Sequence, residues 1–200
     1  MKMPENHYAF DNCSIIHSCE IIIPNAFRPI LGKSKLSHKN YFKLSQFIQK
    51  LNKSNLKKFR FVPSNADIAI IGFVNQLIVE TGITIPLPSA FKAEVNEQIY
   101  QYTQSINQDF IEIQKENEIK GIKTIFVQNE KMLKKGKNIP ETEDLEIIAG
   151  YQKHICEGNK YFISEDEHFW GYKDLIKNNF NICIIEEWNC LAFNFDLQLT

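Results

Sequence analysis

Carboxylates recur at one kind of place in this sequence, just past a short apolar run or at the head of a helical one. Asp11 closes the run His7–Phe10, and Asp67 follows Phe59–Val62 after the turn Pro63-Ser64-Asn65. Glu143 and Asp144 head the helical run that begins at Thr142, and Ser164, Glu165, Asp166 and Glu167 follow Tyr161–Ile163. In a parallel α/β sheet, ligands bind beyond the carboxyl ends of the strands, so such a fold would deliver these acids to one place. Carboxylates gathered in that way repel, and each one left unpaired is expensive to bury. A divalent cation removes the conflict. Hard oxygen ligands suit Mg²⁺ or Mn²⁺, which keep several waters and bind phosphate oxygens. Two such ions roughly 4 Å apart clamp the attacking and leaving oxygens of an in-line phosphodiester displacement. Any one of these acids is explained as well by the fraction of a kcal/mol that an acid gains at a helix N-terminus; the set points to a metal.

Other chemistries find less support. No GxxxxGK[ST] or GxGxxG occurs, which disfavours nucleotide hydrolysis of the P-loop type. The five His are scattered, without an H-E-x-x-H or paired spacing, so His168 beside Asp166 does not announce a zinc site. A phosphotransferase built on a phosphorylatable Asp would want a second acid two residues on, where Asp11 is followed by Cys13. Cys13 itself has no identifiable His partner and reads as a small buried hydrophobe. The five Cys are odd in number and lack a C-x-x-C pair, the usage of reduced thiols in a cytoplasmic protein. The N-terminus has no signal-peptide layout, and the longest apolar-rich window, 66–79, carries Asp67, Asn75 and Gln76 and is too short to span a bilayer.

Net charge is −1, but its distribution is uneven. From Ile21 to Ala66 there are ten Lys or Arg and no acid, so the remainder carries 13 basic against 24 acidic residues. Such a run is either a solvated face or a phosphate-binding flank beside an acidic remainder. The interleaved Tyr41, Phe42, Phe47 and Phe59 are expected to pack inward.

Two hundred residues, 44% apolar and 24% charged, are ordinary for one globular domain, and 1–200 is read as one. Strands are expected at His7–Phe10, Phe59–Val62, Lys160–Ser164 and Asn181–Glu186. Ser14–Ile23 is undecided by periodicity, and Pro24, Pro29 and Gly32 mark a loop. The apolar spacing predicts helices over Leu36–Leu51, with Ser37 as N-cap, from Ser64 or Asn65 to about Glu80, and from Ser89 to about Lys120, ended by Gly121. Ile122–Val127 reads as strand or helix start, and Lys131–Lys137 as a basic loop. Helices follow over Thr142–Cys156, capped by Thr142, and Glu167–Asn178. Alternating strands and helices imply a three-layer α/β/α fold with a central, mostly parallel sheet and an enlarged helical segment around 89–139.

These pieces resemble a PIN-domain nuclease over most of the chain. Tyr8-Ala9-Phe10-Asp11-Asn12-Cys13-Ser14-Ile15-Ile16 is similar to that family's apolar strand, Asp, small polar residue and apolar helix. Asp144-Leu145-Glu146-Ile147-Ile148-Ala149 is similar to its helix-opening Asp segment, and Ser164-Glu165-Asp166-Glu167-His168-Phe169 to its closing Ser/Thr-x-Asp-x-x-Phe. The departure is the second acid: no Glu stands in the turn after Pro63, and Asp67, one methylene shorter, is the nearest substitute.

The resemblance implies a PIN-like fold and a divalent-metal-dependent nuclease, an endoribonuclease first, with a toxin–antitoxin toxin as one setting. Asp11, Asp144 and Asp166 would hold Mg²⁺ or Mn²⁺, with Asp67 a weaker fourth. Ser14, Glu143, Ser164, Glu165 and Glu167 would stand behind them. Lys33, Lys35, Lys39, Lys53, Lys57, Lys58, Arg60, Lys134 and Lys135 would hold the nucleic-acid backbone, RNA rather than DNA. An inhibitor protein and a homodimer are the partners implied, and a membrane is not. The missing Glu makes a catalytically degenerate PIN-like module that binds nucleic acid or protein the alternative.

Overall fold

The computed structural model describes residues 5–64, 72, 74–76, 78–79, 88–129 and 139–193. Five strands form one parallel sheet: β1 (His7–Phe10), β4 (Lys58–Val62), β5 (Ile111–Gln114), β6 (Lys160–Ser164) and β7 (Ile182–Glu186), in the order β5-β4-β1-β6-β7. Two further strands, β2 (Glu20–Ile22) and β3 (Lys35–Ser37), form an antiparallel pair apart from it. Among the helices are α1 (Asn12–His17), α2 (Arg28–Leu31), α3 (Tyr41–Lys53), α4 (Ser89–Asp109), α5 (Lys120–Asn129), α6 (Thr142–Lys153), α7 (Glu167–Trp170) and α8 (Lys173–Phe180), with tight helical turns at Asn25–Phe27 and, after β7, Glu187–Ala192.

Side chains alternate across the sheet as strand geometry requires. Ala9, Phe59, Phe61, Ile113 and Phe162 face one layer, where Phe126 of α5, Leu145 and Ile148 of α6 and Ile176 of α8 cover them. Tyr8, Phe10, Tyr161 and Ile163 face the other, under Leu44, Phe47 and Leu51 of α3 and Ile106 of α4. The result is an α/β fold with helices on both faces of an all-parallel sheet, which is why β1, β4 and β6 read as nearly unbroken apolar runs.

Several expectations are corrected. Leu36 belongs to β3, paired with Ile21, and α3 starts only at Tyr41, with Asn40 rather than Ser37 at its N-cap. The five-residue step from Leu36 to Tyr41 does not fit a helical stride. The stretch 24–32 contains a tight turn, Asn25–Phe27, and α2, which ends at Gly32 with φ 62°. The helix from Ser89 stops at Asp109, and β5 follows as an edge strand with Ile111 exposed and Ile113 buried, so 89–139 is not an all-helical arm. Gly121 lies inside α5, which takes in Ile122–Val127. Glu141, not Thr142, occupies the N-cap of α6, and Gly171 and Tyr172 divide α7 from α8. Asp67, most of the helix expected after Pro63, Lys134 and Lys135 lie outside the described residues.

The helix that carries Asp144 is seated against β5 through Gly150. A Cβ there would run into the backbone carbonyl of Gln114. Backbone cannot swing aside as a side chain can, so Gly150→Ala is expected to destabilise the protein by about 1–3 kcal/mol, checked by urea unfolding. A neutral result would mean that α6 can slide on the sheet.

Candidate metal centre

The chain runs from β1 outward through β4 to β5, then returns to place β6 on the other side of β1. The crevice beyond the carboxyl ends of β1 and β6 is therefore the switch point at which such sheets bind ligands. Asp11 and Ser164 stand there together, since Phe10 is in register with Ile163 and the Asp11 N–H donates to the Ile163 carbonyl at 3.0 Å.

A continuous chain of hydrogen bonds joins three of the expected acids. The Ser164 Oγ–H donates to Asp11 Oδ2 at 3.0 Å, and Ser164 Oγ accepts from the Asp166 N–H at 2.9 Å. Asp166 Oδ1 caps α7 by accepting the His168 N–H at 2.8 Å. His168 Nδ1 lies 2.8 Å from Asp144 Oδ2 and 3.6 Å from Asp166 Oδ1. Asp144 Oδ2 also accepts the Glu141 N–H at 2.8 Å, half of a capping box that fixes its rotamer. One ligand atom each from Asp144, Asp166 and His168 falls within a 4.8 Å span. Asp11 joins this group through Ser164 rather than directly.

The electrostatics are those of crowded carboxylates. Burial pushes the Asp11 carboxyl up to about 7, the Ser164 hydrogen bond opposing it and Asp166 and Asp144 adding to it. Burial also raises Asp144, against the Glu141 N–H and His168. Cys13 is exposed rather than buried, because α1 turns it outward.

Other expected residues lie elsewhere. Ser14 Oγ–H donates to the Ile163 carbonyl at 3.0 Å and orients no expected ligand. Glu143 is paired with Lys115, and Glu167 is exposed on α7. Glu165 belongs to a second cluster that sequence spacing did not reveal, formed with His17, His38, Asn40 and Glu187. Asn40 Nδ2 donates to both Glu165 and Glu187 at 3.1 Å, His17 Nδ1 lies 3.0 Å from Glu187, and His38 Nε2 lies 3.3 Å from Glu165. The two imidazoles stack at 3.6 Å. Burial, then the neighbouring His17, hold His38 below its ordinary value. Glu187 is fully buried; burial works against its charge, but His17, Ser14 and Asn40 outweigh it and hold its carboxyl below the usual range.

One ligand atom each from His17, His38, Glu165 and Glu187 also falls within a 4.8 Å span, and Asn40 bridges the two carboxylates in this polar network. Glu187→Ala leaves His17 and Asn40 facing an empty space and is expected to cost about 3 kcal/mol, with Glu187→Gln recovering part, in chemical unfolding at neutral pH. Because the Glu187 carboxyl is held low, its stabilisation is complete above the ordinary glutamate range and fades as pH falls through the depressed value.

The basic block does not form one face. Lys57 pairs with Glu5 and Lys58 is buried over the Phe110 ring, both at the amino end of the sheet, away from the acids. Arg60 pairs with Glu112, and Lys35 with Glu20. Lys33 and Lys53 are exposed, while Lys39, 3.6 Å from Glu165, is the one of the described set tied to the acidic end. Of the interleaved aromatics Phe47 and Phe59 pack inward, but Phe42 is exposed. No described helix is long and apolar enough to cross a membrane.

Comparison with known proteins finds no matching family model, and no curated protein or solved structure with significant similarity to the chain.

Proposed function

We propose that the protein is a divalent-metal-dependent nuclease, PIN-like in fold and acting on RNA in preference to DNA, with Asp11, Asp144 and Asp166 as ligands for Mg²⁺ or Mn²⁺. The observation that carries this reading is the meeting of three acids from three separate segments in the crevice between β1 and β6. The second oxygens of Asp144 and Asp166 take no hydrogen bond among the described residues, so they are the hard donors that would hold such an ion. When bound, the metal supplies a water of lowered pKa and neutralises the phosphate. The chain itself holds the acids in place: Ser164 fixes Asp11, and the start of α6 fixes Asp144. Asp67 remains the proposed fourth acid, and an inhibitor protein, a homodimer and a cytoplasmic toxin–antitoxin role remain parts of the proposal that come from the sequence resemblance.

One observation favours a binding module without catalysis. His168 lies between Asp144 and Asp166, where its imidazole can serve as their internal partner. Calorimetric titration with Mn²⁺, run beside hydrolysis of a single-stranded RNA, separates the two. Saturable binding with metal-dependent hydrolysis supports the nuclease. Absence of both leaves the binding module.

A further inference from the structure

Folding gathers two of the scattered histidines with two glutamates. His17 ends α1, His38 follows β3, Glu165 follows β6 and Glu187 follows β7. Four segments far apart in the chain thus meet, with one ligand atom from each residue within 4.8 Å of the others. Glu187 is fully buried, and the side chains of His17 and His38 are 12% and 13% exposed. Neighbouring ligand atoms on a zinc tetrahedron stand roughly 3.3 Å apart, given bonds of about 2.0–2.2 Å. His38 Nε2 and Glu165 Oε1 are already at 3.3 Å, and His17 Nδ1 and Glu187 Oε1 at 3.0 Å. With all four atoms inside 4.8 Å, no separation has to shrink by more than about 1.5 Å to close the set. Charge argues the same way. Protons balance the two carboxylates only by charging both imidazoles, and these stack at 3.6 Å. Lys39 approaches Glu165 from solvent, with its side chain 74% exposed. One dication balances both carboxylates and leaves both rings neutral.

We propose that His17, His38, Glu165 and Glu187 form a closed, four-ligand site for a transition-metal dication of the zinc class, distinct from the Asp11, Asp144 and Asp166 group. The site does not depend on the nuclease reading. Two imidazoles set the class of ion: they suit Zn²⁺, whereas Mg²⁺ prefers oxygen alone and Mn²⁺ stands lowest in the divalent affinity order. Four protein ligands with no open position make a structural site rather than a catalytic one. The ion would tie the end of α1 and the turn after β3 to the carboxyl ends of β6 and β7. Asn40 already divides the work of the carboxylates. Its Nδ2–H₂ holds the Oε2 atoms of Glu165 and Glu187, and the Oε1 atom of each stands beside a histidine nitrogen. Outer hydrogen bonds of this kind orient metal-bound carboxylates. One part must move. Rings only 7° from parallel cannot both aim in-plane lone pairs at one ion. The His38 ring therefore turns out of the stack on loading and gives up the 3.2 Å hydrogen bond that its Nδ1 accepts from the Asn40 N–H.

The full chain, stripped with EDTA and returned to excess Mg²⁺ to fill oxygen-only sites, is titrated with Zn²⁺ against a chromophoric chelator. A parallel titration uses Co²⁺, whose visible bands are strong in four-coordination and faint in six. A single zinc per chain and strong cobalt bands are expected. His17→Gln, which can still donate to Glu187, and His38→Ala should each weaken zinc binding at least about a hundredfold. Circular dichroism checks that both are folded. Asp144→Asn with Asp166→Asn should take up zinc and cobalt as wild type does. No zinc uptake, or cobalt bands of six-coordinate strength, overturns the site on the wild-type protein alone, whatever the variants do. Wild-type zinc affinity in either histidine variant overturns it as well. Zinc lost in the aspartate variant but kept in His17→Gln places the ion on Asp144, Asp166 and His168 and overturns it too.

Discussion

Asp11→Asn is expected to make the metal-free protein more stable at neutral pH while removing its response to Mn²⁺. In the unfolded chain Asp11 ionises near its ordinary 3.8; in the fold, burial above all pushes it up to about 7. Between those values the folded state holds a proton that the unfolded state has lost. Stability therefore falls as pH rises through that window and levels off above it. At about 1.4 kcal/mol per pH unit, the effect is capped near ~4 kcal/mol. Asn is never charged, and its side-chain oxygen still accepts the Ser164 hydroxyl, so the variant escapes the penalty and keeps the hydrogen bond. Thermal unfolding in EDTA should show the variant ahead of wild type at pH 8 and level with it near pH 4. Mn²⁺ should then stabilise wild type and leave the variant unmoved. A variant less stable than wild type at pH 8 would mean that Asp11 is held by compensating groups rather than kept in conflict for a cation.

What could be read from the chain alone follows from how each part is buried. β1, β4 and β6 were legible because both faces are covered, and β7, though at the other edge, because its apolar run Ile182–Ile185 stands out between polar neighbours. β5 was hidden because it begins directly after the apolar stripe of α4, whose last member, Phe110, continues the helical stride. The start of α3 was misplaced because Leu36 is apolar for a different reason, its pairing with Ile21. The acids were legible because each ends a strand or opens a helix, places that one fold class brings together. Ser164 as the link between Asp11 and Asp166 needed only the same local logic. The Glu165–Glu187 network was not legible, since its members come from four segments and carry no spacing signal. The basic block misled in the opposite way, because neighbours along the chain need not be neighbours in space. Lys39 sits at one end of the sheet, and Lys57 and Lys58 at the other.

The double variant Asp144→Asn with Asp166→Asn should lose Mn²⁺ binding and metal-dependent hydrolysis by three or more orders of magnitude and keep its fold. Each carboxylate about 4 Å from a divalent ion contributes on the order of several kcal/mol at an effective dielectric near 20, so loss of two exceeds what remaining oxygens can replace. The local structure has little reason to fail. Asn is as good an N-cap as Asp and can still accept the His168 N–H, and an Asn at 144 can still accept the Glu141 N–H of the capping box. Glu143→Gln is the matched control, because its carboxylate is 55% exposed and already engaged by Lys115. It should bind Mn²⁺ as wild type does. Far-ultraviolet circular dichroism and unfolding confirm that the double variant is folded, and calorimetry with an RNA cleavage assay reads the site. If hydrolysis persists at the wild-type rate in that folded double variant, Asp144 and Asp166 are only helix caps, and the crevice between β1 and β6 is not where this protein cuts.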